Sequence, residues 1–530
     1  MAASSKPTEE NWNPSSLLVY NALPGHQDFD ATISDAKSTA DARTDFYDRS
    51  LTSRRYALVG LACSSIFSCL CIIAGIVTVA NHGISGVTPL NIFEYHDVMA
   101  IGLGLSQVLP LRGEILTLIL DLFVTLCTES IGFVHGISLR SALASESRLR
   151  FNTNLRLLTA ARGWYNPNSA FLNGISAVLL IISYSAASLV VCQDIWMTPA
   201  GGSSDSISIA GFPLLILGVA LLLQVMIALS AIRAVKILTW SSSPFDLTAA
   251  LVHHTQLTPA TFRCMRPVSD VDMYGGPAKP PETQPSAWHA HPSIRKVVIS
   301  LWVIVAACAG WAVLVMYFWH HFHLAQVVPT FPLTLQTWSF LQNFMGNYVI
   351  YDLPGVNLEA WIVVFVFTAV VQGPLTLGLH CSELIANVIR DERQWRCATK
   401  RKGLSVATNP LKPIFIHPMC LILFIAKPFL HWMFGLSFSL ALTAFDENIN
   451  ALVMSMFTAQ IWNLCIALFI FACLFTFIAL RRPHGPQPAA YGHLQTLANL
   501  VDEWSPVMWW GHKEDGIPYC HAGRVLAYSL

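Results

Sequence analysis

Arg54 to Ala80 reads RRYALVGLACSSIFSCLCIIAGIVTVA. Two arginines open the stretch, and from Tyr56 to Ala80 no charged side chain occurs. The hydrocarbon core of a bilayer is about 30 Å thick, and roughly 20 apolar residues cross it as a helix that satisfies its own backbone polar groups. The run is long enough to cross, and the arginine pair marks the face on which it starts.

Seven further runs of that kind follow. Together the eight extend from Tyr56 to Ala80, Gly113 to Ile137, Ala170 to Cys192, Ser208 to Leu238, Val297 to Trp319, Leu358 to Cys381, Met419 to Phe445 and Leu452 to Leu480. Apolar residues make up 54% of the chain and charged ones only 12%, a balance that excludes an ordinary soluble domain. The expected fold is all-α: a polytopic helical membrane protein of about eight transmembrane helices whose first partner is the lipid bilayer.

Threading the chain through these spans places all but two of the 31 Lys and Arg on one side. Basic residues beside short loops are retained in the cytoplasm during insertion, so both termini are expected there. The exceptions are Arg112, on the opposite side, and Lys427, inside the seventh span. The segment from Asp97 to Leu111 is read as interfacial or re-entrant, because a ninth span there would turn the loop holding Arg140 to Arg162 outward. The plasma membrane is the default compartment, and an endomembrane fits the same pattern.

Residues 1–55 form a polar tail with no apolar signal segment, so the first span is expected to serve as its own insertion signal. Spans one to four occupy 56–238, a Pro-rich cytoplasmic loop 239–296, spans five to eight 297–480, and a C-terminal tail with a short amphipathic helix 481–530. Most of the 13 cysteines lie within spans, which argues for packing and against a disulfide framework.

Spans one to four and five to eight share an order of features. Arg54 and Arg55 open one half, Arg295 and Lys296 the other. Cys127-Thr128-Glu129 on the second span answers Cys381-Ser382-Glu383 on the sixth, and Asn166-Pro167 answers Asn409-Pro410. The offset is about 240 to 255 residues throughout, which suggests a parallel four-plus-four repeat. Four spans is an even number, so the halves would share one orientation.

The chemistry concentrates on those two corresponding spans. On the second, Glu114, Asp121, Thr125, Thr128, Gly132 and His135 recur at helical spacing, with Glu129 at the edge of the stripe. On the sixth, Thr368, Gln372, Thr376, His380, Glu383 and Asn387 do the same. Ionisable groups in hydrocarbon are costly unless they meet a cavity or a partner, so both stripes are expected to face the bundle interior. Lys427 is the natural counter-ion; Pro428 follows it and interrupts helical hydrogen bonding, and His431 lies one turn on. The residues expected along a substrate or ion path are Asp121, Thr125, Glu129, His135, Gln372, His380, Glu383 and Lys427.

Trp319-His320-His321-Phe322-His323 brings three imidazoles to the outer end of the fifth span, which makes His320, His321 and His323 candidate Zn or Cu ligands. Walker loops, dinucleotide turns, His-Glu-x-x-His and Gly-x-Ser-x-Gly motifs are all missing. No cofactor is expected, and nothing in the chain points to nucleic acid or to a particular protein partner.

Trp240-Ser-Ser-Ser-Pro244, the run from Arg481 through Tyr491 and Gly492 to Leu497, and the ending around Trp509-Trp510-Gly511 and His521-Ala-Gly523 resemble a group of uncharacterised multi-pass membrane proteins of filamentous fungi. The resemblance covers mainly the cytoplasmic loop and tail. It implies a fungal source and carries over no catalytic or binding residue.

The sequence thus leads to a transporter or channel-like permease for a small solute or ion, working by alternating access. A scaffold or sensor acting through its tails is the second reading, with the polar stripes as structural glue. An intramembrane lipid-modifying enzyme is the third, and it requires His and carboxylate groups to converge on a metal.

Overall fold

The computed structural model describes residues 51–83, 87–89, 105–197, 203–260, 265–269, 283–322, 333–334, 338–342, 347–405, 417–445, 448–485, 487–512 and 520–523. Eight of its helices are long and apolar enough to cross a membrane. They are α1 (Leu51–His82), α2 (Leu105–Ser145), α3 (Ala170–Val190), α4 (Gly211–Arg233), α7 (Pro292–Phe322), α8 (Leu358–Cys381), α10 (Pro418–Ser437) and α11 (Thr458–Leu480). Shorter helices sit between and after them: α5 (Pro244–His253), α6 (Ala287–Ala290), α9 (Glu383–Trp395) and α12 (Leu494–Leu500).

Helix length separates the elements that only cross from those that project. At about 1.5 Å per residue the 20 residues of α10 span the hydrocarbon core and no more. The 41 residues of α2 reach about twice as far. From Leu105 the segment expected to be interfacial already belongs to that one continuous helix; Asp97 to Gly104 lie outside the described residues.

The all-α expectation is corrected at the ends of several spans. Phe438–Phe445 and Asn448–Phe457 are strands β6 and β7, so the end of the expected seventh span and the start of the eighth, from Leu452, are not helical. Val191–Met197 and Ser203–Ala210 likewise form β2 and β3, so Cys192 and Ser208 leave the third and fourth spans. The reason is length. Once a helix of about 20 residues has crossed the core, further apolar residues must satisfy their backbone elsewhere, and these do so by pairing. With β1 (Val87–Pro89) and β4 (Tyr348–Pro354) they build a six-stranded sheet in the order β1-β3-β2-β6-β7-β4. Every pairing is antiparallel except the central one, where Gln193 to Met197 of β2 run parallel to Ala441 to Phe445 of β6. The sheet sits at the end of the helices opposite the basic loops.

Tight helix contacts depend on small residues. Ser68 Oγ of α1 donates to the Gly218 carbonyl of α4 at 2.6 Å. A Cβ at Gly218 would lie 2.8 Å from the Ser68 carbonyl oxygen, so the backbones touch.

The loop and tail segments on the basic face are folded together. Strands β5 (Leu404–Ser405), β8 (Val507–His512) and β9 (Cys520–Gly523) form a small sheet beside a core of Phe245, Trp395, Leu497, Leu500 and Trp510. Glu392 of α9 accepts hydrogen bonds from the backbone N–H of Ala490 and Tyr491 at 2.9 Å, and Trp395 Nε1 donates to the Pro488 carbonyl at 2.8 Å. The expected amphipathic tail helix is the seven residues of α12, whose apolar side is buried in this unit.

Candidate functional site

The sixth span and its continuation supply half of the site. α8 stops at Cys381, and α9 restarts after Ser382, whose hydroxyl donates back to the Gly378 carbonyl. His380 and Glu383 flank that interruption one turn apart and meet at 3.1 Å between Nδ1 and Oε1. Glu129 comes from α2, and Lys427 comes from α10 immediately before Pro428. A proline at 428 cannot donate to the preceding turn, which leaves α10 locally uncoupled at that point.

All four side chains converge. The Lys427 ammonium donates to Oε1 of Glu129 and to Oε1 of Glu383, and lies 3.4 Å from His380 Nδ1. Lys427 is 1% exposed, whereas the Glu129 and Glu383 side chains keep 32% and 27% of their surface. The ammonium is walled in behind carboxylates that remain open on one side.

What they open into is a cavity of about 350 Å³. Gly132 and Gly136 of α2 form one wall, and a Cβ at either would meet nothing within 4 Å. Leu423 and Phe424 of α10 form another, while Arg140, Asn152, Arg156 and Arg390 stand toward the basic face. Arg140 lies eleven positions after Glu129 on α2, about 16 Å along the helix, and Lys427 is the tenth of the 20 residues of α10.

The rim is organised by hydrogen bonds. Arg140 donates to Asn152 Oδ1 at 2.7 Å and to the Ser241 carbonyl, and Asn152 donates to Asp391, which pairs with Arg390 at 3.0 Å. Arg156, on the loop between α2 and α3, is different: its Nη1 is buried without a hydrogen-bond partner among the described residues. Burial lowers the Arg156 pKa, and the carboxylates of Glu383 and Glu129 oppose that shift.

On the far side of the cluster the bundle is closed by a polar layer. Tyr184 of α3 donates to Thr125 Oγ1 at 3.1 Å, and its ring stacks on His431 with centroids 3.8 Å apart. His431 Nδ1 lies 3.1 Å from Gln372 Nε2, which also donates to Ser188. Beyond this layer Asp121 is fully buried, with no hydrogen-bond partner for either carboxylate oxygen among the described residues, and Glu114 accepts from Trp432 Nε1 at 3.2 Å.

The residues expected along a path therefore fall in three groups. Glu129, His380, Glu383 and Lys427 meet at the inner end of the cavity. Thr125 and Gln372 belong to the closing layer, with Asp121 past it. His135 is buried away from the cavity beside Asn173 and Arg156. His320 and His321 occupy the last turn of α7, where His321 stacks on Tyr317 at 4.5 Å; His323 lies outside the described residues.

Arg156 and Tyr184 were not legible as site residues, Arg156 being one of several loop arginines that set topology and Tyr184 one residue of an apolar span. No protein-family model matches the chain, and neither a curated protein nor a solved structure does.

Proposed function

We propose that the protein is a transporter for a small solute or ion, with Glu129, His380, Glu383 and Lys427 as the binding locus. One observation carries the reading: a cavity with largely apolar walls leads from the arginines of the basic face to a charged cluster within the helices, and ends there. A purely structural ion pair needs no such access. Carboxylates left partly solvated beside a fully enclosed ammonium are suited to exchanging partners. Discontinuous helices at mid-membrane depth are how transporters commonly build their sites, and here α10 carries Pro428 near its midpoint.

A duplicated four-span unit belongs to the same proposal. Exchanging β1, β3 and β2 with β4, β7 and β6 reverses the strand order and leaves it unchanged, and the central pair is parallel, as for an axis running along the strands. Three of the four corresponding helix pairs agree in length, 32 residues for α1 against 31 for α7, 21 for α3 against 20 for α10, and 23 for both α4 and α11, whereas α2 is longer than α8. Glu129 and Glu383 would then be counterparts from the two halves, sharing one lysine. The cytoplasmic assignment of the basic face rests on charge distribution, and the plasma membrane stays the default compartment.

Cysteine introduced at Gly136 tests the access route. A charged, membrane-impermeant maleimide should label Gly136→Cys from the basic face alone and block flux; labelling from the opposite face, or full flux after labelling, would overturn the reading.

A further inference from the structure

We propose that Glu129, His380 and Glu383 form a binding site for a divalent first-row transition-metal cation, which the Lys427 ammonium fills in this conformation. The inference rests on the transport reading in one respect, that the metal would be the cargo.

The donor set comes first. One oxygen of Glu129, one of Glu383 and an imidazole nitrogen of His380 all lie within 4.8 Å of one another, close enough for a single ion to reach each. Two carboxylates and an imidazole suit Mn²⁺, Fe²⁺, Co²⁺ or Zn²⁺ rather than Na⁺ or K⁺, for which a nitrogen ligand is a poor choice. Solvent can supply the remaining ligands, because both carboxylates face the cavity.

The focus of these donors already attracts a cation. Lys427 reaches it from another helix, donates to Oε1 of Glu129 and of Glu383, and lies 3.4 Å from His380 Nδ1. An ammonium and a metal ion cannot both stand there, so each excludes the other. His380 is 7% exposed and lines the cavity, and its Nε2 has no hydrogen-bond partner among the described residues, which leaves that ring nitrogen available as a ligand while Nδ1 faces Glu383.

Charge favours the exchange. Two carboxylates against one ammonium leave a single negative charge, faced across the cavity by Arg156. A divalent ion in place of the ammonium neutralises both carboxylates, and the displaced lysine can extend into the cavity toward solvent. The step is ligand exchange alone; no bond to carbon changes and no electron moves.

The test uses the full-length protein in detergent, incubated with Mn²⁺ or Zn²⁺, desalted and assayed for bound metal. Lys427→Met should bind one ion per chain, on the order of a hundredfold more tightly than the wild type, since a competing charge at about 4 Å is gone. Adding Glu129→Gln or Glu383→Gln to that variant should abolish binding, and His380→Gln should weaken it by about tenfold or more. Should Lys427→Met fail to fold, the wild type is read instead: a metal-induced rise in Tm that disappears in Glu129→Gln supports the site, and its absence overturns it. Equal affinity in wild type and Lys427→Met, or binding that survives both carboxylate changes, also overturns it. Solute currents that depend on Glu129 in a protein that binds no metal would remove this site and leave the transport reading; bound metal without any current would do the reverse.

Discussion

Lys427 donates to Glu129 across 298 residues of sequence, joining α10 to α2 at mid-membrane depth. The same ammonium holds Glu383, so one side chain ties three helical segments together. Removing it leaves two carboxylates facing each other. Lys427→Met should lower stability by about 2 kcal/mol, less than a fully enclosed pair would lose because both carboxylates are partly solvated. Glu129→Gln in the same chain should recover most of the loss. Thermal unfolding in detergent measures both, and an unchanged Tm in the single variant would show that the contact is energetically idle.

Close packing of α1 on α4 is tested at Gly218. Gly218→Ala forces a Cβ against backbone atoms of α1 and should cost about 1 to 3 kcal/mol. Gly174→Ala, on α3 with nothing within 4 Å of the new Cβ, should be neutral or slightly stabilising. Equal effects at both positions would contradict the contact described.

Acid should loosen the basic-face unit before the membrane core. His291 and His493 pack against Phe151 with ring centroids 4.2 and 4.9 Å away, and burial lowers both imidazoles to about 4. A lowered folded pKa means that the unfolded state binds more protons between pH 6.5 and 4. The stability held by these neutral rings is therefore complete above about pH 6.5 and is lost as pH falls toward 4, on the order of 2 kcal/mol for each ring. Limited proteolysis of the tail at pH 7.5 and pH 4.5 reads the change. The variant His291→Gln with His493→Gln should show a flatter response, and an identical response would remove these residues from the explanation.

If the far face opens during transport, the β2 and β6 seam must part. Gln193 and Ala441 are partners in that parallel pairing. The double variant Gln193→Cys with Ala441→Cys should cross-link under mild oxidation, lose flux by more than about tenfold and regain it on reduction. Full flux in the cross-linked protein would mean that the halves do not separate there.

Much of this architecture was readable from residue patterns, and its failures have physical causes. Long apolar runs located every span, because a bilayer imposes a minimum length. Their ends were misread at Phe438 and Phe457, where apolar residues continue as strands and composition does not change. The polar stripe of α2 was visible as a stripe, yet only part of it, Thr128, Glu129 and Gly132, lines the cavity. Glu129, Gly136 and Arg140 share the cavity side, while Thr125 turns toward Tyr184 and His135 toward Asn173. Helical periodicity says which residues share a face and not which neighbour that face meets. Lys427 stood out because an isolated charge in a span demands a partner, whereas Arg156 was hidden among other loop arginines.

The most direct measurement is the transient current from purified protein in liposomes adsorbed on a solid-supported membrane, challenged in turn with H⁺, Na⁺, K⁺, Mn²⁺, Zn²⁺ and mixed amino and organic acids. Wild-type protein should give a current with at least one of these, and Glu129→Gln or Glu383→Gln, folded by gel filtration and Tm, should reduce it by about a hundredfold or more. A current that is undiminished in both variants, or none from folded wild-type protein with any of them, would contradict the assignment of this cluster as a transport site.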